Sequence, residues 1–242
     1  MSKLKCEGLT KNFGGLVAVN NVTFSVSERE ILGLIGPNGA GKTTLFNCLT
    51  GFLKPDRGKI LFKDLDITNL SHYKIANCGI ARTFQLTRVF NDLTVLENVM
   101  VGSLLHYPRV KEAREHALEI LKFTELYPKS DYLGKSLTIA DRKRLEIART
   151  LATEPTLIML DEAMSGLNPK ETEQAIELCN KLNEKGLTII LVEHVMEVIM
   201  PLSHRIMVLN NGSLIAKGKP EEIANNPRVI KAYLGEKWNA ES

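Results

Sequence analysis

The sequence predicts an α/β fold: a mainly parallel sheet covered by helices, with a helical block inserted ahead of the sheet's second half. Three observations carry this expectation. Residues 36–44 read GPNGAGKTT, after an apolar run (EILGLI) and before a stretch with helical spacing (LFNCLTGFL), so strand, glycine-rich loop and helix follow in order. From residue 156 onward, apolar runs (TLIML, LTIILV, RIMVL) alternate with helical segments, the pattern of parallel strands joined by crossover helices. Between about residues 90 and 155, TVLENVMVGSLLH and VKEAREHALEILKFTEL carry apolar residues at i, i+3, i+4 spacing, and no strand pattern interrupts them.

The elements follow in chain order. Residues 3–63 hold short runs (KLKCEGL, VTFSV, ILGLIG, KILFK) separated by turn residues such as Asn20-Asn21 and Pro55-Asp56-Arg57-Gly58. They read as strands around the helix behind the loop. Further on, Asn168 before Pro169 is a helix N-cap followed by proline at the first helical position. The NNG at 210–212, between RIMVL and SLIAKG, reads as a hairpin turn.

The loop at 36–44 is built for phosphate. Gly36, Gly39 and Gly41 let the backbone turn its N–H groups toward an anion, and the helix starting near Lys42 adds its positive end. Lys42 reaches the β- and γ-phosphates, and the Thr43 hydroxyl ligates Mg²⁺. A nucleoside triphosphate is the expected ligand. TLIMLDE is an apolar strand ending in two carboxylates, which a parallel sheet delivers to the edge that also carries the loop. Asp161 is expected at the Mg²⁺ shell, and Glu162 orients or deprotonates the attacking water. The next strand ends at His194, where an imidazole bonds a γ-phosphate or holds that water, although a lone His after a strand is more often structural.

The remaining composition narrows the class. A net charge of +3 without a Lys/Arg run gives no footprint for nucleic acid. Cys6, Cys48, Cys78 and Cys179 lack C-x-x-C spacing and sit in apolar segments, as reduced cytosolic thiols do. The N-terminus has no apolar signal region, and no apolar run approaches the ~20 residues that span a bilayer. Any membrane role therefore runs through a partner.

Taken in order, the phosphate loop, GIARTFQ, a helical block, SLTIADRKRLEIARTLA, LIMLDE, SGLN and a lone His resemble the ATP-binding subunit of an ABC transporter, essentially end to end. The resemblance implies a P-loop NTPase core with a mainly parallel sheet (residues 1–85 and 156–242), an N-terminal antiparallel β subdomain and an inserted α-helical subdomain at about 86–155. It implies that Phe13 stacks on adenine with Val19 nearby, and that Pro37, Asn38, Ala40 and Thr44 join the loop's glycines, Lys42 and Thr43 at ATP. Gln85 would contact Mg²⁺ and the attacking water and relay its position to residues 86–90, which face membrane subunits. Leu137, Thr138 and Ala140 would form the signature that meets the partner's ATP. Ser165, Gly166, Leu167 and Asn168 would cross the dimer interface. LTGFLKPDRG, GIARTFQ, GLNP and the tail NNPRVIKAYLGE are similar to ATPases of branched-chain amino acid importers, with urea or small-amide importers sharing them. That resemblance implies ATP and Mg²⁺ as cofactors and a second, paralogous ATPase subunit. It also implies two transmembrane permease subunits, an indirect solute-binding protein, and a place on the cytoplasmic face of the membrane. An exporter ATPase of the lipopolysaccharide type, which has a similar ending, and a weakly hydrolysing regulatory subunit stand as alternatives.

One segment departs from the pattern. The family usually reads close to LSGGQ before RLEIAR, whereas residues 137–141 read LTIAD. Ile139 and Ala140 put side chains where glycine allows close approach, and Asp141 adds negative charge near phosphate. At ~4 Å that repulsion amounts to about 1–4 kcal/mol, with Arg142 and Lys143 expected to offset part of it. Ala163 stands where Pro usually follows the Glu, and Asn168 replaces the usual Asp; neither change removes a group the chemistry needs.

Overall fold

The computed structural model describes residues 2–83 and 89–239. Strands β1 (Ser2–Phe13) and β2 (Leu16–Ser27) form a long hairpin that turns at Gly14-Gly15. Strand β3 (Ile31–Ile35) leads through the glycine-rich loop into α1 (Lys42–Leu49). Strands β4 (Arg57–Phe62) and β5 (Leu65–Asp66), helix α2 (His72–Asn77) and the short β6 (Ile80–Arg82) follow. Helices α3 (Val95–Ser103), α4 (Val110–Phe123) and α5 (Ile139–Leu151) make up the helical block. The chain then runs β7 (Leu157–Asp161), α6 (Pro169–Glu184), β8 (Thr188–Val192), α7 (Met196–Leu202), β9 (Arg205–Asn210), β10 (Ser213–Gly218), α8 (Pro220–Ala224) and α9 (Pro227–Asn239).

Two sheets result. One is antiparallel, in the order β2-β1-β4-β5; the other runs β10-β9-β3-β8-β7-β6 and is parallel except for the β9–β10 hairpin. The second sheet is buried on both faces, which is why its strands read as continuous apolar runs. Alternate residues sort cleanly to the two sides. Leu32, Leu34, Met159, Ile190 and Met207 join α1 and the antiparallel sheet in one core, whereas Ile31, Ile35, Ile158, Leu160 and Ile189 pack with α6 and α7 in another. A third core, centred on Val95, Val99, Leu121 and Leu145, lies within α3, α4 and α5.

Asn168 caps α6 as expected. Its Oδ1 accepts from Glu171 N at 3.0 Å, Glu171 Oε2 accepts from Asn168 N at 2.9 Å, and Pro169 takes the first helical position. The NNG hairpin also forms, with Asn211 and Gly212 both at positive φ (46° and 75°), as a tight turn between twisted strands demands. Asn20-Asn21, in contrast, is not a turn between strands. Strand β2 runs straight through it, and Asn21 takes φ 51° at a bulge opposite Gly8, where the ladder with β1 shifts register. Its N–H donates to Thr10 Oγ1 at 3.1 Å, so a residue suited to a turn serves a bulge instead.

Candidate functional site

Strands β3, β8 and β7 are parallel neighbours, with Leu34 opposite Val192 and Val192 opposite Asp161. Their C-terminal ends therefore share one edge, where the glycine-rich loop, Asp161-Glu162 and Glu193-His194 meet. The loop is held from two sides. A side chain at Gly36 would run into Leu209 O, and one at Gly41 (φ 97°) would run into Ala18 O, so these two positions exclude any Cβ. Gly212 N donates to Ala40 O at 3.0 Å while Gly212 O accepts from Asn20 N at 2.8 Å. The β9–β10 turn thus braces the loop against β2, a support that no local pattern announces. Lys42 Nζ arches over the loop and donates to Gly36 O and Pro37 O at 2.5 and 2.9 Å. Asn38 and Gly39 are exposed at the loop's tip, and Thr43 and Thr44 open α1 behind it.

At the end of β1, Phe13 is 45% exposed, with Lys11 Nζ 5.6 Å from its ring centroid. Val19 is not at the surface beside it. The period of two along β2 turns Val19 into the core at 0% exposure, and Leu16 and Val17 are the exposed apolar residues paired with Phe13 and Asn12.

Asp161 is 3% exposed, and its Oδ2 lies 3.2 Å from Arg82 Nη2. Burial pushes its carboxyl up; Arg82 and Lys42 pull against that, while Glu162 adds to it. Arg82 is the residue that reading the sequence missed. It stands in GIARTFQ, but nothing in that string indicates that β6 lies alongside β7 and sets a guanidinium beside Asp161. Gln85, the other residue of interest in that string, lies outside the described residues.

Glu162 adopts φ 49° as the chain leaves β7, a left-handed geometry uncommon for a non-glycine residue. Its N–H still donates to Val192 O at 2.9 Å, and its carbonyl accepts from Lys143 Nζ at 3.0 Å. The side chain is about one-quarter exposed and sits 3.9 Å from His194 Nδ1, the imidazole being more than half exposed. Strand ends two residues wide in register thus bring together a carboxylate and an imidazole 32 positions apart in sequence. The loop of Ser165, Gly166, Leu167 and Asn168 leaves this edge with Gly166 exposed at φ 77°.

Glu193 was not anticipated either. It is fully buried, its Oε1 accepts from Met164 N at 2.9 Å, and its Oε2 finds no hydrogen-bond partner among the described residues. Burial raises its pKa, against the pull of the Met164 N–H, His194 and Lys143. A carboxyl whose pKa is higher folded than unfolded stabilises the fold below the unfolded value, and that contribution is lost as pH rises through the folded one. Glu193→Gln is therefore expected to raise the melting temperature at pH 8, with the gain shrinking as pH falls into the ordinary carboxylate range. Melting curves across that range check the sign.

Helix α5 starts where the departing signature predicts, with Thr138 as N-cap accepting from Asp141 N at 3.2 Å. Leu137 is buried in the helical core, Ile139 is 65% exposed and Ala140 is half-buried. Asp141 does not stand as a bare charge. Its Oδ2 accepts from Lys129 Nζ at 2.5 Å and from Thr138 Oγ1 at 2.9 Å. Burial opposes its charge, but those two bonds outweigh it and hold the carboxyl below its usual range. Arg142 and Lys143, expected to offset Asp141, are directed elsewhere: Arg142 donates to Lys135 O and Leu137 O, and Lys143 to Glu162 O. Lys129, twelve positions upstream, does the neutralising.

No group of three or more His, Cys, Asp or Glu side chains suited to a metal occurs among the described residues. Mg²⁺ does not require one, because it keeps waters and binds through one or two carboxylates plus substrate phosphates. A buried Asp161 within the field of Lys42, with Thr43 exposed at the head of α1, fits that kind of site.

Known proteins resemble this chain over nearly its whole length. The family model described as "ABC transporter" matches residues 19–165, and that of the "Branched-chain amino acid ATP-binding cassette transporter" matches residues 213–238. The chain is 46% identical to the high-affinity branched-chain amino acid transport ATP-binding protein LivG of Escherichia coli (strain K12), across 96% of this chain and 98% of that protein. The chain belongs to the ABC transporter family. It is also 43% identical to the corresponding protein BraF of Pseudomonas aeruginosa, over 96% and 98% of the two chains. A solved nucleotide-free ATP-binding cassette from an ABC transporter superposes with a TM-score of 0.89 at 34% identity, covering 96% of this chain and 99% of that one. ABC transporter ATP-binding subunits are ATPases coupled to transport. Among the described residues, no helix of this ABC protein is long and apolar enough to cross a membrane.

Proposed function

We propose that this chain is the Mg²⁺-dependent ATP-hydrolysing subunit of an importer for branched-chain amino acids, held at the cytoplasmic face of the membrane by two permease subunits. The likeness of residues 213–238 to the branched-chain cassette family, together with end-to-end similarity to LivG and BraF, carries the substrate class. Phe13 stacks on the adenine, Lys42 and the loop's N–H groups bind the β- and γ-phosphates, and Thr43, Asp161 and Gln85 hold Mg²⁺, which would screen phosphate charge. Glu162 orients or deprotonates the attacking water, with His194 beside it at the γ-phosphate. A groove of about 590 Å³ between α2, β6 and the helices α3 and α5 takes a segment of the permease. Phe52, Tyr73, Val101 and Leu105 give it an apolar lining, with Arg149 at its wall.

The substrate reading is tested by reconstituting the chain with a branched-chain amino acid permease pair and measuring ATP-driven leucine uptake. Assembly instead with a lipopolysaccharide permease pair, and no uptake of leucine, isoleucine or valine, would overturn it.

Each composite ATP site takes its loop from one subunit and its signature from the other, across the segment of Ser165 to Asn168. Here the loop is intact. The signature, however, carries Cβ atoms at Ile139 and Ala140, and its Thr138 hydroxyl donates its proton to Asp141 rather than outward. The partner is therefore a paralogous cassette with an ordinary signature, and this chain supplies the main hydrolytic loop and base. Replacing Ile139→Gly, Ala140→Gly and Asp141→Gln together is expected to raise the ATPase rate of the homodimer roughly tenfold or more, since one signature contact is worth at least a charge-assisted hydrogen bond. An unchanged rate would sink the asymmetry.

A further inference from the structure

Arg82 is 9% exposed in its side chain and forms a buried ion pair with Asp161, 4% exposed, at 3.2 Å. Its Nη1 donates to Asn47 Oδ1 at 2.7 Å and to Thr50 Oγ1 at 3.2 Å, both from α1 and its C-cap. Its Nε donates to Thr83 O at 3.3 Å. One guanidinium thus joins the helix behind the phosphate loop to the carboxylate at the end of β7. The guanidinium carbon of the same group lies 5.3 Å from the ring centroid of Phe52 and 5.8 Å from that of Phe46. Phe52 in turn stacks on His72, with ring centroids 5.0 Å apart and planes 21° apart, and both rings line the 590 Å³ groove. Arg82 itself reaches the groove wall. Phe52 is 45% exposed, so whatever enters the groove meets a ring that lies beside the guanidinium.

We propose that Arg82 is a positioning residue that couples occupancy of this groove to the orientation of Asp161. The physical basis is the fork. A guanidinium has five N–H donors in one rigid plane, so tilting that plane at Phe52 moves the donors on Asp161, Asn47 and Thr50 together. A lysine ammonium keeps the charge but lacks the plane, and would leave Asp161 neutralised yet uncoupled from the groove. Burial makes the arrangement all-or-none, because a buried ion pair that loses one partner leaves the other charge without compensation. Outer partners of a metal-binding carboxylate set its aim, and their loss typically weakens metal binding by roughly ten- to hundredfold. The groove end of this inference rests on the reading above, in which a permease segment occupies it; the Asp161 end does not.

The test measures binding rather than turnover. ATP binding to the purified chain is titrated by calorimetry at increasing Mg²⁺, for wild type, Arg82→Gln and Arg82→Lys. Arg82→Gln is expected to raise the Mg²⁺ midpoint about tenfold or more, with Mg²⁺-free ATP affinity changing far less. Arg82→Lys, the variant most apt to stay folded, is expected to fall between the two. Midpoints within twofold of wild type in both variants, with only the melting temperature lowered, would make Arg82 a structural ion pair and overturn the proposal. The second arm repeats the titration on the complex with the permease pair. Wild type is expected to shift its midpoint on assembly, and Phe52→Ala to lose that shift while still co-purifying. A co-purifying Phe52→Ala complex that keeps the full shift would sever the groove from Asp161. Failure of wild type to assemble with any branched-chain permease would count against the functional reading, and leaves the first arm to decide the Asp161 end.

Discussion

Lys42→Ala is expected to reduce ATP affinity by about two to four orders of magnitude and to abolish hydrolysis. The Nζ group sits over the loop within hydrogen-bond reach of two of its carbonyls, Gly36 O and Pro37 O, so it is already placed at the mouth of the cradle. In the proposed site the same three donors would face the β- and γ-oxygens of a bound triphosphate. Two charge-assisted hydrogen bonds are worth about 1.5–3 kcal/mol each, which sets the expected loss. The fold itself should survive, because Gly212 N still donates to Ala40 O and braces the loop without the lysine. Equilibrium binding of ATP, with a melting curve as control, checks this. Unchanged affinity and turnover in a folded variant would refute the assignment of residues 36–44 as the phosphate site.

The second large effect is at Glu162. Replacing it with glutamine is expected to lower kcat by about 10²–10⁴ while leaving ATP binding nearly intact. The amide has the carboxylate's shape and keeps an acceptor toward water, but it cannot take a proton. Its backbone position does not depend on the side chain: the N–H is bonded to Val192 O and the carbonyl to Lys143. The substitution also removes a negative charge from beside the γ-phosphate, so an ATP-bound dimer should accumulate, visible by size-exclusion chromatography with ATP present. A variant hydrolysing at the wild-type rate would shift the role of base to His194, whose Nδ1 lies 3.9 Å away.

Much of this site was legible in the sequence because its parts are local. A glycine-rich loop needs φ values and close approaches that other residues cannot supply, so GPNGAGKTT announces itself. LIMLDE is a buried parallel strand ending in acids, and the edge at which it ends follows from the handedness and direction of βαβ units. Asn168-Pro169 and Asn211-Gly212 are likewise short-range chemistry, satisfied within a few residues.

The misreadings share a cause in contacts between distant segments. Asn20-Asn21 carries turn residues, yet β1 supplies a partner along its whole length and converts the site to a bulge. Val19, expected near Phe13, is turned inward by the pleat of β2. The charge of Asp141 was expected to be offset in part by Arg142 and Lys143. On a helix, side chains at adjacent positions point apart, so a lysine twelve positions upstream reached it where its sequence neighbours did not.

The sequence by itself determined that the chain folds as an α/β phosphate-binding protein with Lys42, Thr43, Asp161 and Glu162 at one sheet edge, because those features depend on backbone geometry and strand periodicity. Tertiary structure alone decided what surrounds them. The order β9-β3-β8-β7-β6 lays β6 against β7 and so sets Arg82 on Asp161. The same order puts β7 beside β8, which brings His194 to Glu162 and buries Glu193 against Met164. Strand order is fixed by how whole faces pack, a sum over residues far apart in the chain, and no local pattern records it.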